Sequence, residues 1–322
     1  MKDSTDPFFR IVQDFLSMPP LLVWGSGATV PCGFPTMDAL AKHLSNTLIP
    51  DLELTGSLED TLSSSKYEEM QLEIKKEIWK CISAADLKFL MAMAKGDVDD
   101  YVAAIGQLIT KFTFAHPRKL DVVTTNYDRV LEYVCAFNEM TYTDGTAIAD
   151  LSNFDSSRFR TEKCVNLIKV HGSLSWFEID GTVRCLNKVD SDIAPMIIIP
   201  GKNKYREASK IPYRELIQRT DIAVSSAKSF LAIGFGFNDE HITPEIIKQV
   251  NKGIPIVVVS KNIKDTCLKA LGKAKQYVTI EACATNEEES WVSIKQKTQD
   301  DTQKIVVPGR FWSLPKFMEV FV

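Results

Sequence analysis

The sequence predicts an α/β fold: a doubly wound, mostly parallel sheet with an all-helical insertion. Three observations predict it. Short strand-like runs (Leu21–Trp24, which is continuously apolar, Leu120–Thr125, Val165–Val170, Phe230–Ile233 and the β-branched Ile254–Val259) alternate with stretches of helical periodicity. Runs of that kind are strands covered on both faces, the mark of a parallel sheet. One long block, residues 45–117, has helical periodicity and few strand signals. Finally, the apolar runs end next to residues of chemical or conformational consequence, namely Gly25, Asn126, His171, Gly234 and Ser260.

Composition sets the outer bounds. The chain has 322 residues, 45% apolar and 25% charged. This is an ordinary globular balance, in a chain long enough for a sizeable core. It excludes a disordered chain, a disulfide miniprotein and a fibre. The net charge of −4 argues against a dedicated nucleic-acid binder, and no direct nucleic-acid contact is expected. Asp3, Asp6, Arg10 and Asp14 leave no room for a secretory apolar segment, and no run is long enough to span a membrane. The expected location is cytoplasmic. Seven cysteines, an odd number with no CxxC pair, read as buried thiols in a reducing compartment. No metal site of the usual zinc spacing is expected.

Along the chain, Ser4, Thr5 or Asp6 can cap a first helix whose apolar face is Phe8, Ile11, Val12, Phe15 and Leu16, with Pro7 in its first turn. Strand Leu21–Trp24 runs into the turn Gly25-Ser26-Gly27-Ala28-Thr29, and Met37, Leu40, Ala41 and Leu44 mark the following helix. In the helical block, Met70, Ile74, Ile78 and Cys81 form one face. Leu87, Leu90, Met91 and Ala94 form a second, and Val102, Ile105, Leu108, Ile109 and Phe112 a third. The α/β alternation resumes with strand Leu120–Thr125 and helix Arg129–Phe137. Residues 138–164 read as long, polar and irregular. Strand Val165–Val170 reaches His171-Gly172-Ser173. Trp176–Ile179 and Val183–Leu186 flank Asp180-Gly181, a hairpin signal. Met196–Ile199 is a further apolar run. Helix Pro212–Ala227, strand Phe230–Ile233, helix Thr243–Val250, strand Ile254–Val259, helix Lys264–Leu271 and strand Tyr277–Ile280 follow. The organisation is one domain, 1–322, with the insertion at 45–117. Residues 285–322 form an extension whose role the sequence leaves open between a C-terminal strand and an oligomer contact.

In a doubly wound sheet, ligands bind outside the carboxyl ends of the strands, where the notable residues lie. Glycines at 25 and 27 permit a tight turn with amides left open to a phosphate, though a bare GxG is equally plain turn chemistry. Asn126 or Asp128 reads first as a helix cap. His171 stands at a strand end facing the expected crevice, which raises its weight above that of His43, His116 and His241. The basic run Lys202-Asn203-Lys204-Tyr205-Arg206 reads as a solvated loop or a phosphate contact.

Taken together, these segments resemble the sirtuins. Gly25-Ser-Gly-Ala-Thr-Val-Pro-Cys-Gly33-Phe34-Pro35 is similar to their GAGxSxxxGxP segment. Thr125-Asn126-Tyr127-Asp128 is similar to QNxD, His171-Gly172 to the catalytic HG, and Gly234-Phe235-Gly236 stands in the place of GTS. Val257-Val258-Val259-Ser260 stands in that of the late nucleotide-binding strand. The segments occur in the family's order over roughly residues 20–280. Two departures stand out. Nothing matches the four-cysteine zinc ribbon, and Thr36-Met37-Asp38 replaces the expected DFR. Thr-Thr-Asn-Tyr-Asp and Gly-Phe-Gly-Phe-Asn-Asp-Glu-His are similar instead to bacterial sirtuin-like antiphage proteins that consume NAD+.

The resemblance implies a Rossmann-like domain acting as an NAD+ glycohydrolase in antiphage defence. NAD+ is then the substrate and no metal is needed. It assigns Asn126, Asp128 and His171 to catalysis. His171 would be the base, Asn126 would order water and ribose, and Asp128 would bind the nicotinamide amide. Gly25, Ser26, Gly27, Ala28 and Thr29 would cradle the diphosphate, with Phe34 and Pro35 at the ribose–nicotinamide end. Gly234, Gly236 and Ser260 would serve the adenosine half. An NADase needs restraint, so gating by a homo-oligomer or by a HerA-type hexameric ATPase partner is implied as well. A zinc-free NAD-dependent protein deacylase and a non-catalytic NAD- or ADP-ribose-binding scaffold subunit are the alternatives.

Overall fold

The structure is a computed structural model that describes residues 7–50, 52, 58–147, 149–187, 193–199, 211–297 and 301–321. The residues read as caps of the first helix (Ser4, Thr5, Asp6) and the basic run 202–206 lie outside the described residues. In the first half of the chain the elements are α1 (Pro7–Phe15), β1 (Leu21–Trp24), α2 (Met37–Thr47), α3 (Leu58–Leu62), α4 (Gln71–Ala94) and α5 (Asp100–Thr113). Then come β2 (Lys119–Thr124), α6 (Val130–Phe137), β3 (Tyr142–Thr143), β4 (Cys164–Lys169), β5 (Gly172–Ile179), β6 (Thr182–Cys185) and β7 (Pro195–Ile197). The remainder is α7 (Tyr213–Ser226), β8 (Phe230–Ile233), α8 (Ile242–Lys252), β9 (Ile256–Val259), α9 (Asp265–Leu271), β10 (Tyr277–Cys283), β11 (Asn286–Lys295), β12 (Gln303–Pro308) and α10 (Leu314–Met318).

Among the described residues the main sheet has nine strands, in the order β12-β11-β10-β9-β8-β1-β2-β4-β3. From β10 to β3 all neighbours are parallel, and β11 and β12 add an antiparallel edge. The chain leaves β1 towards β2 on one side and later returns to pair β8 on the other. The order of the strands therefore reverses at β1, the place where doubly wound sheets open a crevice. Side chains of successive strand residues point to opposite faces. Leu22 and Trp24 face one core with α1, α2, α4, α5 and α6, while Leu21 and Val23 face the other with α7, α8 and α9. Both faces are thus covered, which is why β1, β8 and β9 are apolar at every position.

Three features differ from the sequence reading. α4 is one continuous helix whose buried line is Ile74, Ile78, Ile82, Asp86, Phe89 and Met93. Leu87 and Met91, read as part of a core face, are 58% and 48% exposed, because the i+4 line from Ile74 runs through Asp86 instead. Residues 138–164 are not wholly irregular: Tyr142–Thr143 adds the edge strand β3. Residues beyond 285 supply β11, β12 and α10. Ser290, Val292 and Ile294 turn inward on β11, and α10 packs on α5. Phe311 meets Phe8 and Phe9 at ring distances of 5.8 and 5.3 Å, tying the chain's end to α1.

A second, three-stranded antiparallel sheet, β6-β5-β7, follows directly from β4. Its hairpin turns at Asp180-Gly181. α4 reaches it through Trp79, whose indole N–H donates to the Leu174 carbonyl at 2.9 Å and whose ring packs on Phe177. No helix among the described residues is long and apolar enough to cross a membrane.

Candidate active site

The turn after β1 is built against the turn after β8. The Gly25 amide donates to the Ile233 carbonyl and the Gly27 amide to the Gly234 carbonyl, each at 3.0 Å. A Cβ on Gly25 would lie 2.3 Å from the Gly234 oxygen. One on Gly234, which has φ +59°, would lie 2.1 Å from the Ala28 nitrogen. These glycines are therefore required by backbone meeting backbone at the switch point. This corrects the expectation that the turn leaves its amides open, since those of Gly25, Gly27, Ala28 and Thr29 all donate to backbone carbonyls. Ser26 and Gly27 remain exposed at its crest. Phe34, expected near a ligand, is 5% exposed and packs on Phe89 of α4 at a ring distance of 6.2 Å. Pro35 beside it is half-buried.

Asn126 follows β2 and is nearly buried. It does not cap α6. Its Nδ2 donates to the Gly25 carbonyl at 3.2 Å and to the Thr29 hydroxyl at 3.4 Å, which joins the β2 loop to the β1 turn. Its Oδ1 is buried with no hydrogen-bond partner among the described residues, and so is the Trp24 indole N–H. Both residues line a void of about 10 Å³ shared with Thr124, Asp128 and Lys169, close to the minimum that holds one water. Asp128 takes the capping role: its Oδ1 accepts from the Val130 amide at 3.3 Å. Burial pushes its carboxyl up to about 6, against the opposing pull of the Lys169 ammonium and the Val130 amide.

Two buried charges that sequence reasoning missed hold this loop. Lys169, the last residue of β4, is 1% exposed. Its ammonium donates to the carbonyls of Tyr127 (3.4 Å) and Asp128 (2.6 Å) and to Glu132 of α6. Burial pushes the Glu132 carboxyl upward, and Lys169 opposes it. From the other side, Asp86 of α4 holds Arg129 and the Tyr133 hydroxyl. A lysine ending an apolar strand and an aspartate on the i+4 line of an apolar helix face were the available signals.

His171 stands two residues past the end of β4, with its side chain 12% exposed. Its carbonyl accepts from the Ile198 amide at 2.8 Å. Its Nε2 lies 3.0 Å from Oδ2 of Asp239. Asp239 belongs to the loop after β8, and β8 is separated from β4 by β1 and β2. At the sheet that separation is about 14 Å, three strand spacings. The two loops thus arch together over the ends of β1 and β2, where Gly25, Asn126 and Asp128 sit. Tyr101 of α5 also reaches this end, donating to the Ala28 carbonyl at 2.8 Å. Gly236 and Ser260 are half-buried farther along the same edge. The Gly236 carbonyl accepts from Thr266, and the Ser260 hydroxyl donates to the Asn262 carbonyl. No group of three His, Cys, Asp or Glu side chains among the described residues could hold a metal ion.

Comparison with known proteins gives one sequence family and several solved structures. The sequence model of the SIR2-like domain matches residues 121–263. That span contains Asn126, Asp128, His171, Asp239 and Ser260 and leaves out the turn at 25–35. No curated protein sequence matches the chain. Among solved structures, a Sir2 homologue in complex with NAD is 15% identical, covering 80% of this chain and 82% of that one, with a TM-score of 0.43. A mutant Sir2 homologue in complex with 2'-O-acetyl ADP ribose is 14% identical, covering 80% and 84%, with a TM-score of 0.45.

Proposed function

We propose that the chain hydrolyses NAD+ at the bond between nicotinamide and ribose, releasing nicotinamide, ADP-ribose and a proton. The observation that carries this reading is the placement of Asn126, Asp128 and His171 after the carboxyl ends of the adjacent strands β2 and β4, with the β8 loop drawn across to His171 through Asp239. The match of residues 121–263 to the SIR2-like domain supports the same reading.

The chemistry asks little of the protein beyond positioning. Nicotinamide leaves from a cationic pyridinium, so it needs no acid, and the ribose passes through an oxocarbenium-like state. Water attacks C1′ as the C1′–N bond breaks. The bonding pair leaves with nicotinamide and the water's proton passes to His171, then to solvent. Asn126 orders the water and the ribose, and Asp128 accepts from the nicotinamide amide. The exposed Ser26 and Gly27, with Gly25, Ala28 and Thr29 behind them, face the diphosphate. Gly234, Gly236 and Ser260 flank the adenosine half, and Phe34 and Pro35 brace the turn from beneath.

The resemblance to bacterial antiphage proteins supports NAD+ depletion in the cytoplasm as the physiological outcome, restrained by a homo-oligomer or a HerA-type ATPase partner.

The test is nicotinamide release from NAD+ by purified protein, assayed across size-exclusion fractions beside Asn126→Ala and His171→Ala. Release abolished by both substitutions supports hydrolysis at this site. Release that survives both overturns the assignment. Turnover of an acyl-lysine peptide that requires NAD+, without plain hydrolysis, replaces this reading with deacylation. Thermal stabilisation by NAD+ with no turnover replaces it with a binding subunit.

A further inference from the structure

Asp239 is held in a way that decides what His171 can do. Its Oδ1 accepts from the amides of His241 and Ile242, at 3.0 and 2.8 Å, where α8 begins. Two amide donors and a helix N-terminus are what an ionised cap accepts. The other oxygen, Oδ2, is thereby aimed away from the helix and stands 3.0 Å from Nε2 of His171. Among the described residues Nε2 has no other partner, and the ring is not aligned for a linear hydrogen bond, so the contact is electrostatic first. Such bonds are often poorly aligned without substrate and tighten when it binds.

A carboxylate oxygen has only lone pairs to offer. A neutral imidazole protonated on Nδ1 would set the Nε2 lone pair against it at 3.0 Å, in a site with little water to screen the repulsion. The tautomer protonated on Nε2 sets an N–H there instead. We infer that Asp239 fixes His171 in the Nε2–H tautomer, which leaves Nδ1 as the atom that takes the proton from the attacking water. Asp239 is a positioning residue: it touches the histidine and the start of α8, and acts on the reaction through them. The inference rests on the reading of His171 as the base. It adds which ring atom works and which residue selects it.

Asp239→Asn is the informative variant. Asparagine caps a helix as well as aspartate does, so α8 keeps its start. The charge facing Nε2 is gone, and an amide N–H can now donate to it and favour the opposite tautomer. Long-range proton–nitrogen correlation spectra of 15N-histidine-labelled protein, with His171→Ala to assign the signal, read the tautomer directly. The expected result is Nε2–H in the unaltered protein and a shift to Nδ1–H in Asp239→Asn, with an unchanged circular dichroism spectrum. NAD+ cleavage by the variant is expected to fall at least about 100-fold, the low end for loss of a general base. A buried aspartate orienting a catalytic histidine in a serine protease sets the upper scale, about 10⁴. An Nδ1–H signal in the unaltered protein overturns the inference, and so does a tautomer that ignores Asp239→Asn. If the tautomer behaves as expected while neither protein cleaves NAD+, the proposed hydrolysis fails and the role of Asp239 stands.

Discussion

Asp86 of α4 and Arg129, the residue that leads into α6, are joined three times. The Arg129 backbone amide donates to Oδ1 at 2.9 Å, and Nε and Nη2 donate to Oδ2 at 3.0 and 2.6 Å. Asp86 is fully buried. Removing one partner of a buried pair strands the other charge, at a cost of about 3–5 kcal/mol. Asp86→Ala should therefore lose about that much in urea unfolding. Asp86→Asn should lose less, because it can still accept from the Arg129 amide. A loss below about 1 kcal/mol for Asp86→Ala would mean that Arg129 finds water when freed.

Lys169 and Glu132 make a second buried pair. Lys169→Met should cost a similar ~3–5 kcal/mol, since Glu132 is left behind among apolar neighbours. Replacing both with apolar residues of similar volume should recover most of that loss in a double-mutant cycle, while the loop 126–128, no longer held by the ammonium, should lose activity. Additive single effects would show that the pair does not act as a unit.

The raised carboxyl of Asp128 makes stability depend on pH. Its folded value near 6 lies above that of an unfolded aspartate. The native state therefore holds the proton more tightly. The contribution of this group is full below about pH 4 and is lost as pH rises through about 6. Asp128→Asn should match the parent near pH 4 and exceed it above pH 7, by up to about 3 kcal/mol for a shift of about two units. The same variant should cleave NAD+ roughly ten- to a hundredfold more slowly, the loss of one charge-assisted hydrogen bond. Unfolding curves at pH 4.5 and 8 decide the first part, and nicotinamide release the second.

Alanine at the turn glycines should separate crowding from backbone strain. Gly234→Ala meets both, with positive φ and the Ala28 nitrogen in the way. It should lower the melting temperature most and abolish NAD+ binding. Gly33→Ala has positive φ but nothing within 4 Å, so it should cost only the left-handed backbone strain, about 1–2 kcal/mol. Equal shifts for the two variants in thermal unfolding would show that the two turns are not in tight contact.

What could be read in advance follows from how local each cause is. Leu21–Trp24 and Phe230–Ile233 announce themselves because a strand covered on both faces must be apolar at every position. α4 was phased wrongly at its end because Asp86 interrupts the apolar line at a point where only a distant arginine explains it. β11 is obscured by Glu287, Glu288 and Glu289 at its solvent-facing start, although the alternation of Val292 and Ile294 is present. Of the candidate site, Asn126, Asp128 and His171 stand out because each lies within four residues of the end of a strand. Asp239 does not: its loop is legible but its contact with His171 depends on two strands lying between them. Lys169 is likewise visible only once α6 has folded back over β4.

The loop from β8 that reaches His171 also imposes an order on synthesis. A nascent chain that has just exposed Asn126, Asp128 and His171 still lacks β8, the strand that flanks β1, and Asp239 beyond it. Its glycine turn has no second turn to close against, and its histidine has no carboxylate to face. Domains fold largely as units when their chain has emerged, and here Asp239 leaves the ribosome well after His171, its partner across the sheet. A translation product truncated before Asp239 therefore lacks both the turn that closes on Gly25 and Gly27 and the carboxylate that faces His171.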